Sequence, residues 1–501
     1  MPRWAREGTG PNTAGGVRLR GSLIGLRRPT VIRNQTYVVW IIGGSKVQAR
    51  ARTRGTRAEF RKRALSMSGH LEHAVPPELV LRHVVLLTRH GDRAPISARV
   101  GNFKVDDGFW KQQMPRADDV AHWDARHPVE DLAPAKRLDH AQEVFGQLTA
   151  RGAEQLTKLG NAMHTRLQCT GHHLLHSPSS VTARSTNIRR TVQSAQNFLL
   201  GLKAPAACAA KVQVREWAEE NLVPNLTRCP PLGSVLKAAE AAEQTRAAAD
   251  APELKRQLAA TFGLASDRAL PTSKCREILV CVVAHQQPLP RGVSPQIATQ
   301  VAELDARDWG RRYRPTAVAR LGMGPLLDEL RAGLRAVVEG RAVGGVALLS
   351  GHDTTLVALL CALGAYDDRP VEYGSHLLLE LAEDDLATEF YVRVLYNWQP
   401  LHLLAPVGAE PPAQPAPHAT PAASASHHAL HYPHGAEWIE WRRFETDVLV
   451  HALSPVEHAA AAESATAALA SRGHEPGQRS SDSAAMALQS MQDVLVGSRR
   501  S

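Results

Sequence analysis

His83-Val-Val-Leu-Leu-Thr-Arg-His-Gly-Asp-Arg-Ala-Pro95 is the stretch from which the fold can be read. Val84, Val85, Leu86 and Leu87 form a short, unbroken apolar run rich in β-branched residues. Such a run, bounded by polar residues and Gly, predicts a strand buried on both faces, as in a parallel sheet. It stops abruptly at Arg89, His90, Gly91, Asp92 and Arg93, just before Pro95. In an open α/β sheet, ligands bind at the carboxyl end of a strand beside a topological switch point. Two arginines around one histidine there predict a phosphate site with imidazole as the reacting group. Guanidinium forks match phosphate geometry, and a neutral imidazole can attack phosphorus. For any single Arg-His pair, a basic loop after a core strand is the plainer alternative. Arg-His-Gly-x-Arg-x-Pro is more demanding, because its five fixed residues arise by chance in roughly one in a thousand chains of this composition.

Two further stretches repeat the pattern. Gly344-Gly-Val-Ala-Leu-Leu-Ser-Gly-His-Asp-Thr-Thr-Leu356 predicts a buried strand over Val346 to Leu349, ending in His352-Asp353. An apolar helix follows over Thr355 to Leu363, closed by Gly364 as a C′ residue. Ser179 to Arg184 reads as another strand, followed by a helix to about Leu200 that Ser185 or Thr186 can cap. A free helix N-terminus there favours an anion, and Arg184 is expected on the same sheet edge as His90. Between these lies Gly146-Gln-Leu-Thr-Ala-Arg-Gly, where Thr149 is a credible N-cap and Leu156, Leu159, Met163 and Leu167 share one helical face.

The motifs, in this order, resemble those of the histidine acid phosphatases, a branch of the histidine phosphatase superfamily, over about residues 80–400. The resemblance implies an α/β fold: a phosphoglycerate-mutase-like three-layer core with a mixed, mostly parallel sheet and an inserted helical cap domain. It implies His90 as nucleophile, with Arg89, Arg93, Arg184 and His352 holding the phosphate oxygens. Asp353 would protonate the leaving alcohol, then take a proton from the water that cleaves the phosphohistidine. A carboxyl that must start protonated implies an acidic to mildly acidic optimum. Neither a metal nor another cofactor is required. Arg184-Ser-Thr-Asn-Ile and Gly146-Gln-Leu-Thr look closest to lysophosphatidic acid phosphatases, whereas Asp92 matches the secreted and lysosomal acid phosphatases.

Substrate is less legible. Phe103, Phe109, Trp110, Met114 and Trp123 lie in the excursion from Val100 to Gln147, which has no long helical period. They read as a groove for an acyl chain or as a satellite core. A lysophospholipid monoester is the expected substrate; a broad-specificity or phytase-like acid phosphatase is the alternative. A phosphoglycerate mutase fits the Arg184 and His352-Asp353 contexts poorly. An inactive phospho-ligand-binding pseudo-phosphatase is the non-enzymatic alternative, weakened by the presence of both His90 and Asp353.

Length and charge set the remaining organisation. A chain of 501 residues with 44% hydrophobic content can bury a large core. The net charge of +10 is misplaced for nucleic-acid binding: residues 1–70 carry about +13, leaving about −3 on the rest. Residues 1–68 read as a basic targeting-like or disordered leader, mitochondrial first, with plastid, cytoplasmic and secretory destinations as alternatives. The core is expected over 80–202 and 341–403, a mainly helical insert with parts of the core over 203–340, and a returning helix over 437–457. Residues 405–436, rich in Pro, Ala and His, read as a disordered loop, and 472–501 as a polar tail. The cysteines at 169, 208, 229, 275, 281 and 361 have no metal-type spacing, while Cys275 and Cys281 bracket a possible hairpin and are candidates to pair. Asn34 and Asn225 match the glycosylation acceptor pattern. Oligomeric state cannot be read from the sequence, and no apolar stretch is long enough to span a bilayer.

Overall fold

The structure is a computed structural model, which describes residues 30–32, 35–42, 45–51, 73–131, 144–176, 180–205, 207, 210–264, 271–403, 434–435 and 437–470. The chain divides into two compact units, Met1–Met67 and Ser68–Ser501. In the first unit, β1 (Thr30–Ile32), β2 (Gln35–Ile42) and β3 (Ser45–Ala51) form an antiparallel sheet in that order. These strands lie within residues 1–68, the segment read from sequence as a basic targeting-like or disordered leader. The β-branched and aromatic run in β2 favours an extended chain over coil.

The second unit is built on β4 (Leu79–Arg89), near the middle of a nine-stranded sheet. On one side, β10 (Val346–Gly351), β8 (Val181–Ser185), β9 (Val212–Val214) and β7 (Val129–Asp131) follow in order, every neighbouring pair parallel. On the other, β11 (His376–Asp384) is antiparallel to β4, and β12 (Phe390–Tyr396) is antiparallel to β11. Beyond them, β13 (Gln399–Pro400) and β14 (Ile439–Glu440) both pair with β12. The sheet is thus mixed, parallel throughout on the β10 side and antiparallel on the β11 side. A two-strand ladder, β5 (Arg99–Val100) with β6 (Phe103–Lys104), stands apart from it.

Side-chain alternation makes three layers. Val84 and Leu86 of β4 pack with Leu156, Met163 and Phe198 from α3 (Ala150–Thr170) and α4 (Arg189–Leu202) on one face. Val85 and Leu87 pack on the other with residues of α9 (Thr316–Val338) and α10 (Asp353–Ala362). The insert therefore shares the core through β9 and α9. Around it lie α5 (Pro231–Ala249), α6 (Pro252–Phe262), α7 (Thr272–Ala284) and α8 (Pro295–Tyr313). Helices α6 to α8 enclose a separate apolar cluster with Phe262, Ile278 and Val301.

Several local expectations need correction. The excursion after Pro95 holds two helices, α1 (Asp107–Gln112) and α2 (Ala117–Arg126). Its Trp110 and Trp123 are buried in satellite core clusters, the second of the two readings of these residues, rather than lining a groove. Helix α4 starts at Arg189, with Ile188 as N-cap, so neither Ser185 nor Thr186 caps it. Cys275 and Cys281 are free thiols on α7. Six helical residues separate them by about 9 Å along the axis, too far for a disulfide. Asn225 is buried and its amide donates to the Glu220 carbonyl at 3.0 Å, so it is no glycan acceptor, while Asn34 lies outside the described residues.

The returning segment is not one helix. After β14, a helical turn at Trp441–Arg443 runs into a π-helix, Phe444–Val448, and α11 (Pro455–Ala470) follows. Pro455 begins that helix rather than ending one, as proline does at a first helical position. Most of 405–436 and all of 472–501 lie outside the described residues. Among the described residues, no helix is long and apolar enough to cross a membrane.

Candidate active site

Parallel pairing of β4 with β10 sets Arg89 opposite Gly351, so His90 and His352 leave neighbouring strand ends together. The backbone fixes His90 further. Its N–H donates to the Gly351 carbonyl at 3.0 Å, and its carbonyl accepts the Gly374 N–H at 3.2 Å. The two imidazoles then stand edge to face, with ring centroids 5.6 Å apart. His90 Nδ1 lies 2.8 Å from the Gly91 carbonyl oxygen. A carbonyl only accepts, so Nδ1 carries the proton and Nε2 keeps its lone pair.

The turn after His90 depends on glycine. A Cβ on Gly91 would meet the Gly152 carbonyl oxygen at 2.2 Å, and one on Gly152 would meet the Asp92 carbonyl oxygen at 2.1 Å. The loop and the first turn of α3 therefore touch through bare backbone. Thr149 caps α3 as expected, accepting the Gly152 N–H. Its hydroxyl also donates to Asp92 Oδ2 at 2.5 Å, and His285 Nε2 donates to the same oxygen at 2.6 Å. Asp92 is thus a buried strut between the loop, α3 and the end of α7.

Asp353 occupies the first position of α10, next to its N-cap His352. Its Oδ2 pairs with Arg89 Nη2 at 3.0 Å and Arg276 Nη1 at 3.2 Å. Burial pushes the carboxyl up, but the guanidiniums of Arg89, Arg276 and Arg93 outweigh it and hold Asp353 well below the usual range. Asp353 is therefore ionised in the free protein. The cations around it favour the carboxylate. Burial, then Arg190, Arg89, His352 and Arg93, keeps His90 neutral well below its ordinary range.

Arg89 is anchored by the Val371 carbonyl and lies 4.1 Å above the Tyr373 ring. Arg93 pairs with Glu277 Oε1 at 2.7 Å and donates to the Ala94 carbonyl at 3.0 Å. Both arginines keep a buried Nε–H without a hydrogen-bond partner among the described residues.

Arg184 does not join this group. Its guanidinium donates to Glu220 Oε1 and Asn221 Oδ1, each at 3.1 Å, and lies 3.3 Å from Glu329 Oε2. In register it sits opposite Leu349, itself opposite Leu87, so it lies three residues below His90 along the sheet. The arginine at the site is Arg190, on the first turn of α4. Its Nη2 donates to His352 Nδ1 at 3.4 Å, while His352 Nε2 lies 3.0 Å from Thr186 Oγ1. An arginine can only donate, so His352 Nδ1 is unprotonated and its proton resides on Nε2. Burial and Arg190 lower the His352 pKa well below its ordinary value, consistent with that neutral ring.

The readable signal for Arg190 was its place near a helix N-terminus, six residues past Arg184 in the same motif. Arg276, Glu277 and His285 had no local signal. They come from the insert, more than 60 residues before His352 in sequence.

A buried neutral imidazole with one free nitrogen, ringed by arginines and faced by a carboxylate, defines a phosphoryl-transfer centre. The chain belongs to the histidine phosphatase superfamily (branch 2), whose sequence profile matches residues 80–286 and 298–397. It is 28% identical to counting factor 60 of Dictyostelium discoideum over 352 residues, 64% of this chain and 80% of that protein. It is 30% identical to human testicular acid phosphatase over 325 residues, covering 61% and 68% of the two chains. Lysosomal acid phosphatase of Bos taurus is 28% identical over 342 residues, covering 62% and 70%.

Proposed function

We propose that this phosphomonoester hydrolase works through a covalent phosphohistidine on His90. The observation that carries the reading is the Nδ1 contact to the Gly91 carbonyl, which leaves Nε2 as the nucleophile. Arg89, Arg93 and Arg190 take the phosphate oxygens, assisted by His352, and neutralise charge as the transition state forms. The long Arg190–His352 contact is weak and readily exchanged for a charged oxygen. Phosphate on Arg89 offsets that cation's hold on Asp353 and raises the carboxyl's proton affinity. Asp353 then protonates the leaving alcohol, and its carboxylate later takes a proton from the attacking water. Neutral His90 remains reactive in acid, so activity belongs on the acidic side of neutrality. Acid-quench of the working enzyme tests this: a phosphoramidate on the native chain and none on His90→Ala is expected. A phosphoserine or phosphoaspartate overturns it.

Within that class we propose a lysophospholipid monoester, chiefly lysophosphatidic acid, as substrate. The Arg184-Ser-Thr-Asn-Ile context and the low charge outside the leader support it, because weak long-range attraction disfavours polyanions. Phe103, Phe109 and Met114 are partly buried and remain as apolar surface in the excursion. At about 0.8 kcal/mol per buried methylene, even partial burial should make specificity constants climb severalfold with each added pair of acyl carbons. A flat series, or preference for phytate, rejects the lipid reading alone. The Arg-rich composition of residues 1–68 supports mitochondrial import; a fluorescent fusion of that segment remaining in the cytosol rejects it.

A further inference from the structure

Helix α7 carries three side chains to the polar residues of the site. Arg276 reaches Asp353, Glu277 reaches Arg93, and His285, just past the helix end, reaches Asp92. Arg276 is the most constrained of them. Its Nη1 lies 3.2 Å from Asp353 Oδ2, and its Nε lies 3.8 Å from Asp305 Oδ2 on α8. Ser273 donates to the other Asp305 oxygen at 2.5 Å. Arg276 and Asp305 are both buried. One guanidinium is thereby clamped between two carboxylates on separate elements, with a direction it cannot easily change.

We propose that Arg276 is a positioning residue that holds the Asp353 carboxyl through both of its proton transfers. The inference rests on the acid–base reading of Asp353 above. Arg89 also pairs with Oδ2, but Arg89 must serve the phosphate once substrate arrives. Arg276 then remains the fixed cation on that oxygen. Oδ1 accepts the Thr354 N–H at 3.0 Å and is the oxygen left to carry the proton.

In the first step the His90 Nε2 lone pair forms the N–P bond while the P–O bond to the leaving group breaks. The departing oxygen keeps the bonding pair and takes the proton from Asp353. In the second, a water oxygen attacks phosphorus and the N–P pair returns to the imidazole. The water's proton passes to the Asp353 carboxylate. A cation on Oδ2 favours the carboxylate, helping the second step and confining the first to lower pH. The groups that face Asp353 are Arg89, His90 and Arg93 from the β4 end, and Arg276 from α7. Tyr313 and, through Arg276, Asp305 face it from α8, and His352 adjoins it in the chain.

The experiment measures kcat/KM against pH for the full chain and for Arg276→Gln, on glycerol phosphate and on para-nitrophenyl phosphate. Glycerol leaves only with a proton, whereas nitrophenolate leaves without one. Arg276→Gln should move the alkaline limb for glycerol phosphate up by about one pH unit and leave the nitrophenyl limb nearly still. Arg276→Lys, which restores a cation, should return the limb most of the way. An equal, pH-independent loss on both substrates assigns Arg276 a structural role and overturns the proposal. Should Arg276→Gln not fold, Arg276→Lys decides alone: a small upward shift of the glycerol limb with the nitrophenyl limb still supports the proposal, and an equal, pH-independent loss on both substrates overturns it. Phosphohistidine trapping on the native chain separates the two readings. Its absence defeats the mechanism, whereas its presence with an unmoved limb defeats only the role of Arg276.

Discussion

Nη2 of Arg89 lies 3.0 Å from Oδ2 of Asp353, joining the end of β4 to the first turn of α10. On the mechanism proposed above the nucleophile is the residue after Arg89, and this ion pair would couple phosphate binding to the proton donor across two strand ends. Before substrate binds, the pair stores the carboxyl in its ionised form. In the proposed mechanism phosphate competes for the guanidinium, and that competition releases the carboxyl to take a proton.

Asp353→Asn removes the proton carrier while leaving the nucleophile in place. Turnover of glycerol phosphate should fall by about 10²- to 10⁴-fold, the usual contribution of a positioned acid. The phosphorylation step with para-nitrophenyl phosphate should fall far less, as burst amplitudes would show. Equal losses on both substrates would make Asp353 a structural partner of Arg89.

Arg190→Ala and Arg184→Ala should separate cleanly. Loss of Arg190 should raise the inhibition constant for inorganic phosphate by roughly thirtyfold, for a charge-assisted bond of about 2 kcal/mol. Arg184→Ala instead leaves buried Glu220 without its cation, while Glu329 keeps Arg215, and should cost about 3 kcal/mol of stability. Urea unfolding and phosphate inhibition on the same preparations check both.

Glu277 places a carboxylate on Arg93 and also accepts the Ile96 N–H. It therefore opposes an incoming phosphate oxygen. Glu277→Gln keeps an acceptor for the amide and removes the charge. Inorganic phosphate should then inhibit about tenfold more tightly, about 1.4 kcal/mol. Unchanged inhibition would place Arg93 outside the phosphate contact.

Glu380 sits between Arg166 and Arg393 at 2.7 and 2.6 Å, buried in the sheet. Burial raises its pKa, but the two arginines outweigh that and bring it down from 4.5 to about 2. A depressed acid stabilises the fold fully above its unfolded pKa and loses that contribution as pH falls through the folded one. Stability should therefore drop by about 3 kcal/mol between pH 4.5 and 2 on account of this group. Glu380→Gln should be less stable near neutrality and lose less on acidification, as unfolding midpoints at several pH values would report.

The sequence by itself determined the central strand, the strand-end histidines and the aspartate beside the second of them. Those features are local: an apolar run of four residues specifies a doubly buried strand, and a sharp polar stop marks its end. Thr149 as a cap and Leu156, Leu159, Met163 and Leu167 as a buried face were legible for the same reason. Where a side chain's meaning depends on distant partners, the sequence read less well. Arg184 and Arg190 lie in one motif, but only the tertiary structure decided between them, since Glu220 and Glu329 arrive from elsewhere to occupy Arg184. The helical identity of the Cys275–Cys281 segment follows from packing against α8 and the β5–β6 side rather than from strong periodicity. Arg276 and Glu277 are the extreme case. They look like an ordinary charged pair on an insert, and they acquire meaning only because folding carries α7 onto the ends of β4 and β10. Local patterns encode which backbone is buried; long-range packing decides which charges meet there.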